Sequence, residues 1–499
     1  MSHPPSNSKT TDPKPDLKSR LLGGTAWITL AEALILPTGF ITLTFLTRQL
    51  GTEGYGLFAL AATLVTWIEW GLNSVFSRTT IKFVSEAEES AAIATSVLRA
   101  QLGCGLLAAF VVILAAPTIT TLLHEPSLTP LLRLFALEIP LVNLAQAHQN
   151  ILAGLGRFGP RALATAVRWV ARLLFIVGFV SMGFSLMGAI LGSLAAMLAD
   201  VVVCRLYIQP SLWAPSTFPL KALTGYAVPL FLAALSTRLF AKLDLIALKA
   251  LGGTAEQAGL YAVAQNLALF GGVMSPALAP VLIATVSQLL SQEEITKVRS
   301  LSRSAMRAVL LHIPFAALLA GAAGELVPLL FGAPFLPAAT LFRLLIFSTV
   351  STVMIAVTGA ILVASDRPTW TAILTLPMPL FAILGHWLLV PSLGAVGASL
   401  ATLLVATVGS LAGVVAVYIR WRVLPARMTL ARCCLVGFVV GAIAQYWPTP
   451  GLWVLLKLAG GAIAIVVLLW LLGEVGDEDK KVLQTYLKFN RTDRHTSPE

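Results

Sequence analysis

The stretch VLRAQLGCGLLAAFVVILAAPTITTLL, residues Val97–Leu123, decides the fold. After Arg99 it carries no charge as far as its end. A hydrocarbon core about 30 Å thick needs about 20 apolar residues in a helix that rises 1.5 Å per residue. Lipid offers no hydrogen-bond partner to the backbone, so such a run must be a helix or part of a closed barrel. It lacks the two-residue alternation of a barrel strand. It is therefore a transmembrane helix.

Runs of the same kind recur along nearly the whole chain of 499 residues. Hydrophobic residues make up 57% and charged residues 11%, against roughly 25% charged in a soluble domain, which excludes a soluble enzyme. The expected fold is an all-α polytopic membrane protein with about 14 transmembrane helices. A polar, Pro-rich stretch over 1–20 reads as a disordered cytoplasmic tail without a cleaved signal. The spans then group as 21–207, 221–420 and a final pair over 430–472, with a mixed-charge cytoplasmic tail at 477–499.

Orientation follows from the basic residues. Of the 34 lysines and arginines, only Arg48, Arg133, Lys249 and Arg343 fall in loops on one side, and Arg172, Arg238, Lys242 and Lys457 fall within spans. The rest gather on the side of the N-terminus. The positive-inside rule places that side, and both termini, in the cytoplasm of a bacterial inner membrane. The same distribution accounts for the net charge of +11 without a nucleic-acid partner. The polar stretch Lys82–Ser96 is expected along the cytoplasmic surface. The four cysteines, Cys104, Cys204, Cys433 and Cys434, have no ligand-like spacing, and His148 and His386 stand alone, so neither a metal nor a cofactor is expected.

The halves echo each other at a spacing of about 200 residues, a sign of parallel repeats around a central cavity. TFLTRQLGTEGYGLFALAATL (Thr44–Leu64) matches LIALKALGGTAEQAGLYAVAQNL (Leu245–Leu267). ILAGLGRFGPRALATAV, from Ile151, matches AILVASDRPTWTAILTL, from Ala360. GFSLMGAILGSLAAML, from Gly183, matches VPSLGAVGASLATLL, from Val390. An even number of spans per repeat gives both copies the same orientation, hence two parallel six-helix lobes, with the last pair of helices outside the repeat.

RQLGTEGYGLFALAATL (Arg48–Leu64), GLNSVFSR (Gly71–Arg78), LGGTAEQAGLYAVAQ (Leu251–Gln265) and LVPLLFGAPFLPA (Leu326–Ala338) occur in this order. Together they resemble the polysaccharide (O-antigen type) flippases of the multidrug/oligosaccharidyl-lipid/polysaccharide exporter superfamily. The resemblance covers roughly Leu21 to Arg420. It implies flipping of an undecaprenyl-pyrophosphate-linked oligosaccharide by alternating access, with no covalent chemistry. It also favours a functional role for Asp244, in the seventh helix.

Ionisable residues inside a membrane are costly and so mark candidate sites. Arg161, Arg168 and Arg172 are spaced seven and four apart and lie within about 20° of one line on a helix. A pyrophosphate needs such a stripe, because arginine grips phosphate with two donors. Arg161 and Arg168 also fit as ordinary cytoplasmic-end basic residues. Arg238 and Lys242 share a face four residues apart, as an anion-binding pair. Glu69 and Asn73 are also four apart, between aromatic neighbours. Candidate substrate contacts are thus Arg168, Arg172, Arg238, Lys242, Gln146 and Asn73, the last two for sugar hydroxyls or as interhelical glue. Candidates for a coupling ion, H+ or Na+, are Asp244, Glu69, Glu325 and Glu32; each also fits a structural hydrogen bond.

The expected partners are the lipid-linked oligosaccharide, membrane lipid and, as candidates, polysaccharide assembly proteins. A drug exporter of the same superfamily is the alternative transporter; the in-span basic residues argue for an anionic cargo instead. A membrane polymerase or ligase lacks its large external loop here. A non-transporting envelope scaffold has no evident need for the repeat.

Overall fold

The computed structural model describes residues 27–86, 90–211, 243–269, 271, 275–365, 368–449 and 451–474. Every regular element among them is helical. Nine of the described helices are long and apolar enough to cross a membrane, so the protein is a multi-pass membrane protein. Three of these runs, Trp27–Glu86, Phe158–Tyr207 and Ile373–Trp421, have 60, 50 and 49 residues. At 1.5 Å per residue each would exceed about 70 Å if straight, more than twice the hydrocarbon thickness. Each is broken near its middle.

The first, α1 (Ile35–Glu86), breaks at Gly51, whose φ of 68° and ψ of −173° lie outside helical space. Glycine adopts positive φ at little steric cost, and LGTEGYG supplies it at the turn read from the sequence. α2 (Ser90–Leu122), α3 (Leu128–Ala136) and α4 (Glu138–Gly154) follow. The second long run comprises α5 (Phe158–Phe179) and α6 (Ser185–Tyr207). They are joined by a π-turn over Val180–Phe184, with Gly183 at φ 94° and Ser185 at φ 48°. α5 and α6 fold back on each other so closely that a side chain on Gly192 would meet the backbone of Ile176.

Residues 243–250 are helical, and α7 (Ala255–Leu269), α8 (Ser275–Ser291) and α9 (Ile295–Leu310) come next. α10 (His312–Gly321), α11 (Ala323–Phe331), α12 (Ala338–Ala364) and α13 (Pro368–Thr375) lead to α14 (Met378–Trp421). α14 bends at Gly394, φ 56°. The appended pair is α15 (Arg427–Tyr446) and α16 (Trp453–Leu471). The expected span Leu223–Ala250 is described only from residue 243, and the predicted tails and residues 87–89 of the surface stretch lie outside the described residues.

The chain forms two compact units. The first contains residues 1–43, 65–114 and 132–231; the second contains 44–64, 115–131 and 232–499. Within the first, Val97, Leu98, Leu152, Ala164 and Cys204 pack from α2, α4, α5 and α6 into one core. Within the second, the tip of α1 lies on α7. A side chain on Gly56 would strike the carbonyl of Ala255, and one on Gly259 that of Thr52. The two helices therefore touch backbone to backbone, as small residues permit in membranes. Arg48 adds hydrogen bonds to the carbonyls of Leu329, at 2.6 Å, and Leu330, at 3.2 Å. Lys249 pairs with Glu125 at 2.9 Å.

The appended pair is fastened to the second unit at both ends. At one, Glu325 accepts bonds from Lys457 Nζ at 2.6 and 2.7 Å and from Thr449 Oγ1 at 2.8 Å. At the other, Glu474 accepts from Arg307 at 2.8 Å, Arg432 at 2.8 Å and Thr429. Between them α15 lies against α10, where Gly441 contacts Gly321.

Candidate functional site

The in-span charges of the first unit converge on α5. Its stripe carries Arg168 and Arg172 on either side of Trp169, with ring centroids 4.9 and 5.9 Å from the two guanidinium carbons. The aromatic face supports both cations. Their partners differ. Arg168 faces Asp200 of α6, N to O 3.8 Å. Asp200 is fully buried and also accepts two bonds from Gln149 Nε2, at 2.9 and 3.0 Å, and one from the Cys204 thiol at 3.5 Å. A buried carboxylate needs this degree of ligation. Arg168 thus ties α5 to α6. Arg172, half-buried and one turn deeper, makes no ion pair with a described residue.

Two carboxylates stand within electrostatic reach of Arg172. Glu69 comes from α1 and Glu138 from the first turn of α4. They are 9% and 4% exposed. Ser193 donates to Glu138 Oε1 at 2.8 Å, while Glu138 Oε2 and Glu69 Oε1 are buried without a hydrogen bond. Asn73 Oδ1 and Trp67 Nε1, on the same stretch of α1, are likewise unpartnered. The structure therefore brings Glu69, Glu138, Arg168, Arg172 and Asp200 into one charged cluster. Arg161 interacts electrostatically with Glu32, which is exposed on the first arm of the opening helix. Gln146 is half-buried without a hydrogen bond to a described residue. Its neighbours His148 and Asn150 are committed to Leu144 O at 2.8 Å and to Ser77 at 3.1 Å.

In the second unit Asp244 is buried and saturated by neutral donors. It accepts from Tyr261 Oη at 2.6 Å, Gln265 Nε2 at 2.8 and 3.0 Å, and the Leu245 amide at 3.0 Å. Thr402 lies 3.3 Å from the same Tyr261 hydroxyl. Glu325 is occupied by Lys457 and Thr449. Arg238 and Lys242 lie outside the described residues. Among the described residues no group of three His, Cys, Asp or Glu side chains fits a metal.

Glu138 and Asp200 are the members of the cluster that the sequence analysis passed over. Each is a lone acid in an apolar span, the signal that singled out Glu69. Attention to the basic stripe alone hid the acids that face it.

Residues 21–290 match the model of a family described as polysaccharide biosynthesis protein. No curated protein sequence matches the chain. Among solved structures it is similar to the lipid II flippase MurJ in an inward closed conformation, with a TM-score of 0.71 and 14% identity over 88% of this chain and 98% of that one. It is also similar to an inward-facing multidrug resistance MATE family transporter of the MOP superfamily, with a TM-score of 0.64 and 17% identity over 77% and 94%. An outward-facing transporter of the same description gives 0.57 and 15% over 82% and 97%.

Proposed function

The chain belongs to the polysaccharide biosynthesis protein family and has the fold of the MOP superfamily, and from that premise we propose that it is a flippase. Its cargo in this reading is an oligosaccharide on undecaprenyl pyrophosphate, moved across a bacterial inner membrane by alternating access for cell-surface polysaccharide synthesis. The observation that supports it is Arg172. An arginine deep in an apolar span with no ion pair is held there at a cost. A pyrophosphate drawn in from the cytoplasmic side offers the missing partner, with two parallel donors from one guanidinium. Arg168, engaged by Asp200, adds positive potential on the way. Arg238 and Lys242 are carried as a second anion-binding pair, and Gln146 and Asn73 as contacts to sugar hydroxyls. Both termini lie in the cytoplasm in this reading.

A second reading has one observation in its favour. Glu69 and Glu138 each present a free buried oxygen, as the site of an exporter of organic cations would. One assay separates the two. Proteoliposomes holding the purified protein are given a fluorescent undecaprenyl-pyrophosphate oligosaccharide, and its appearance in the opposite leaflet is followed. Translocation that Arg172→Ala abolishes is expected. Absence of translocation, together with efflux of a cationic dye, moves the protein to the exporter reading.

A further inference from the structure

Glu69 and Glu138 are not used by the headgroup reading, and their surroundings set a charge problem. Glu69 is within electrostatic reach of Glu138, Arg172 and Arg168. Glu138 is within reach of Arg172 and Arg168 and is hydrogen-bonded by Ser193. Arg168 is already opposite Asp200, so one guanidinium, Arg172, faces two carboxylates. With every group ionised the cluster carries one negative charge in excess, inside the span, where an uncompensated charge is disfavoured. Two adjacent carboxylates relieve this by retaining one proton between them. A proton needs one free carboxylate oxygen, and each glutamate has one buried and unpartnered, Glu69 Oε1 and Glu138 Oε2. A sodium ion would need a shell of several oxygens and would sit against the Arg172 cation.

We infer that Glu69 and Glu138 share a single proton, and that this proton governs whether Arg172 is free to hold an anion. The second clause rests on the flippase reading; the first does not. With the proton bound, Arg172 is opposed by one carboxylate instead of two and is available to a phosphate. With it lost to water, both carboxylates compete with the phosphate. Linkage makes the effect reciprocal: an anion on Arg172 raises the affinity of the pair for its proton. The proton is taken from water and returned to it; no other bond changes.

The test uses the full-length protein in nanodiscs without any lipid-linked substrate. Infrared spectroscopy reads the carbonyl stretch of protonated carboxyl groups at neutral pH. The wild type is expected to show such a band, unchanged when potassium is replaced by sodium. Glu69→Gln and Glu138→Gln are each expected to lose it, because the glutamate that remains faces Arg172 alone and ionises. A band lost in only one of the two variants overturns the sharing. So does a band absent from the wild type, retained in the double variant or displaced by sodium. Should a glutamine variant fail to fold, Arg172→Gln gives an independent reading. It leaves both carboxylates unopposed, so the band grows about twofold; an unchanged band overturns the inference. None of these measurements depends on what the protein carries, so a failed flipping assay and a failed proton pair are told apart.

Discussion

Lys249 and Glu125 meet at 2.9 Å, with the lysine side chain only 4% exposed and the glutamate on the short connection between α2 and α3. Burial raises the pKa of Glu125, but hydrogen bonds from Ser127 and Lys249 and the ammonium charge outweigh it and hold the carboxyl below its ordinary value. A carboxylate with a depressed folded-state pKa contributes stability above its unfolded pKa. That stability is lost as the pH falls through the folded one. Thermal unfolding scanned from pH 7 downward should therefore show melting temperature dropping through and below the ordinary carboxylate range. Glu125→Gln should begin lower and respond less to acid. A variant with the wild-type acid response would show that the pair contributes nothing.

Removing one partner of a buried pair leaves the other charge uncompensated. Arg168→Ala strands Asp200 and is expected to destabilise by about 3–5 kcal/mol, seen as a large loss of monodisperse protein on heated size-exclusion chromatography. Arg172→Ala leaves no comparable orphan and should keep the wild-type melting temperature. Its cost falls on transport. A charged hydrogen bond of roughly 1.5–3 kcal/mol corresponds to a flipping rate lower by about 10–100-fold. If Arg172→Ala melted early and Arg168→Ala did not, the two roles would be exchanged.

Backbone contact between α1 and α7 sets a steric limit. Gly56→Ala and Gly259→Ala each place a methyl on a main-chain carbonyl that cannot rotate away, at an overpacking cost of about 1–3 kcal/mol. Gly103→Ala serves as the control, since nothing lies within 4 Å of its missing side chain. Equal melting temperatures in the three variants would argue against the contact.

Glu474 accepts bonds from three side chains, and burial, which raises its pKa, is outweighed by those from Thr429, Arg432 and Arg307. Its depressed pKa again gives stability that is present at neutral pH and lost on acidification. Glu474→Gln should raise protease sensitivity at the α15 end while leaving the first unit as protected as before, read by limited proteolysis and mass mapping.

The helical bundle was legible because hydropathy alone forces it. The bends were legible too. Gly51 sits in the LGTEGYG stretch and Gly252 in its echo, both with positive φ. Gly183 and Gly394, from the third pair of matching segments, break the two other long runs. Partnership was harder to see. Seven- and four-residue spacing put Arg168 and Arg172 on one line, yet nothing in α5 tells that Asp200, on α6, takes the first and leaves the second. That choice depends on how closely α5 and α6 approach at Gly192, a tertiary quantity. Glu325 and Lys457 were read separately, one as an ion site and one as a basic residue in a span, because 132 positions separate them along the chain.

Fastening α15 and α16 at both Glu325 and Glu474 has a mechanical consequence. A helix pair pinned at one point can swing; pinned at two, with Gly441 seated on Gly321 between them, it has no free axis. Whatever displacement α10 undergoes is handed on undiminished to the pair, which acts as a stiff outrigger and not as a tether. Lipids lying against the outer faces of α15 and α16 would then be pushed aside in step with each cycle, so the viscosity of the surrounding bilayer becomes part of the load that the protein works against.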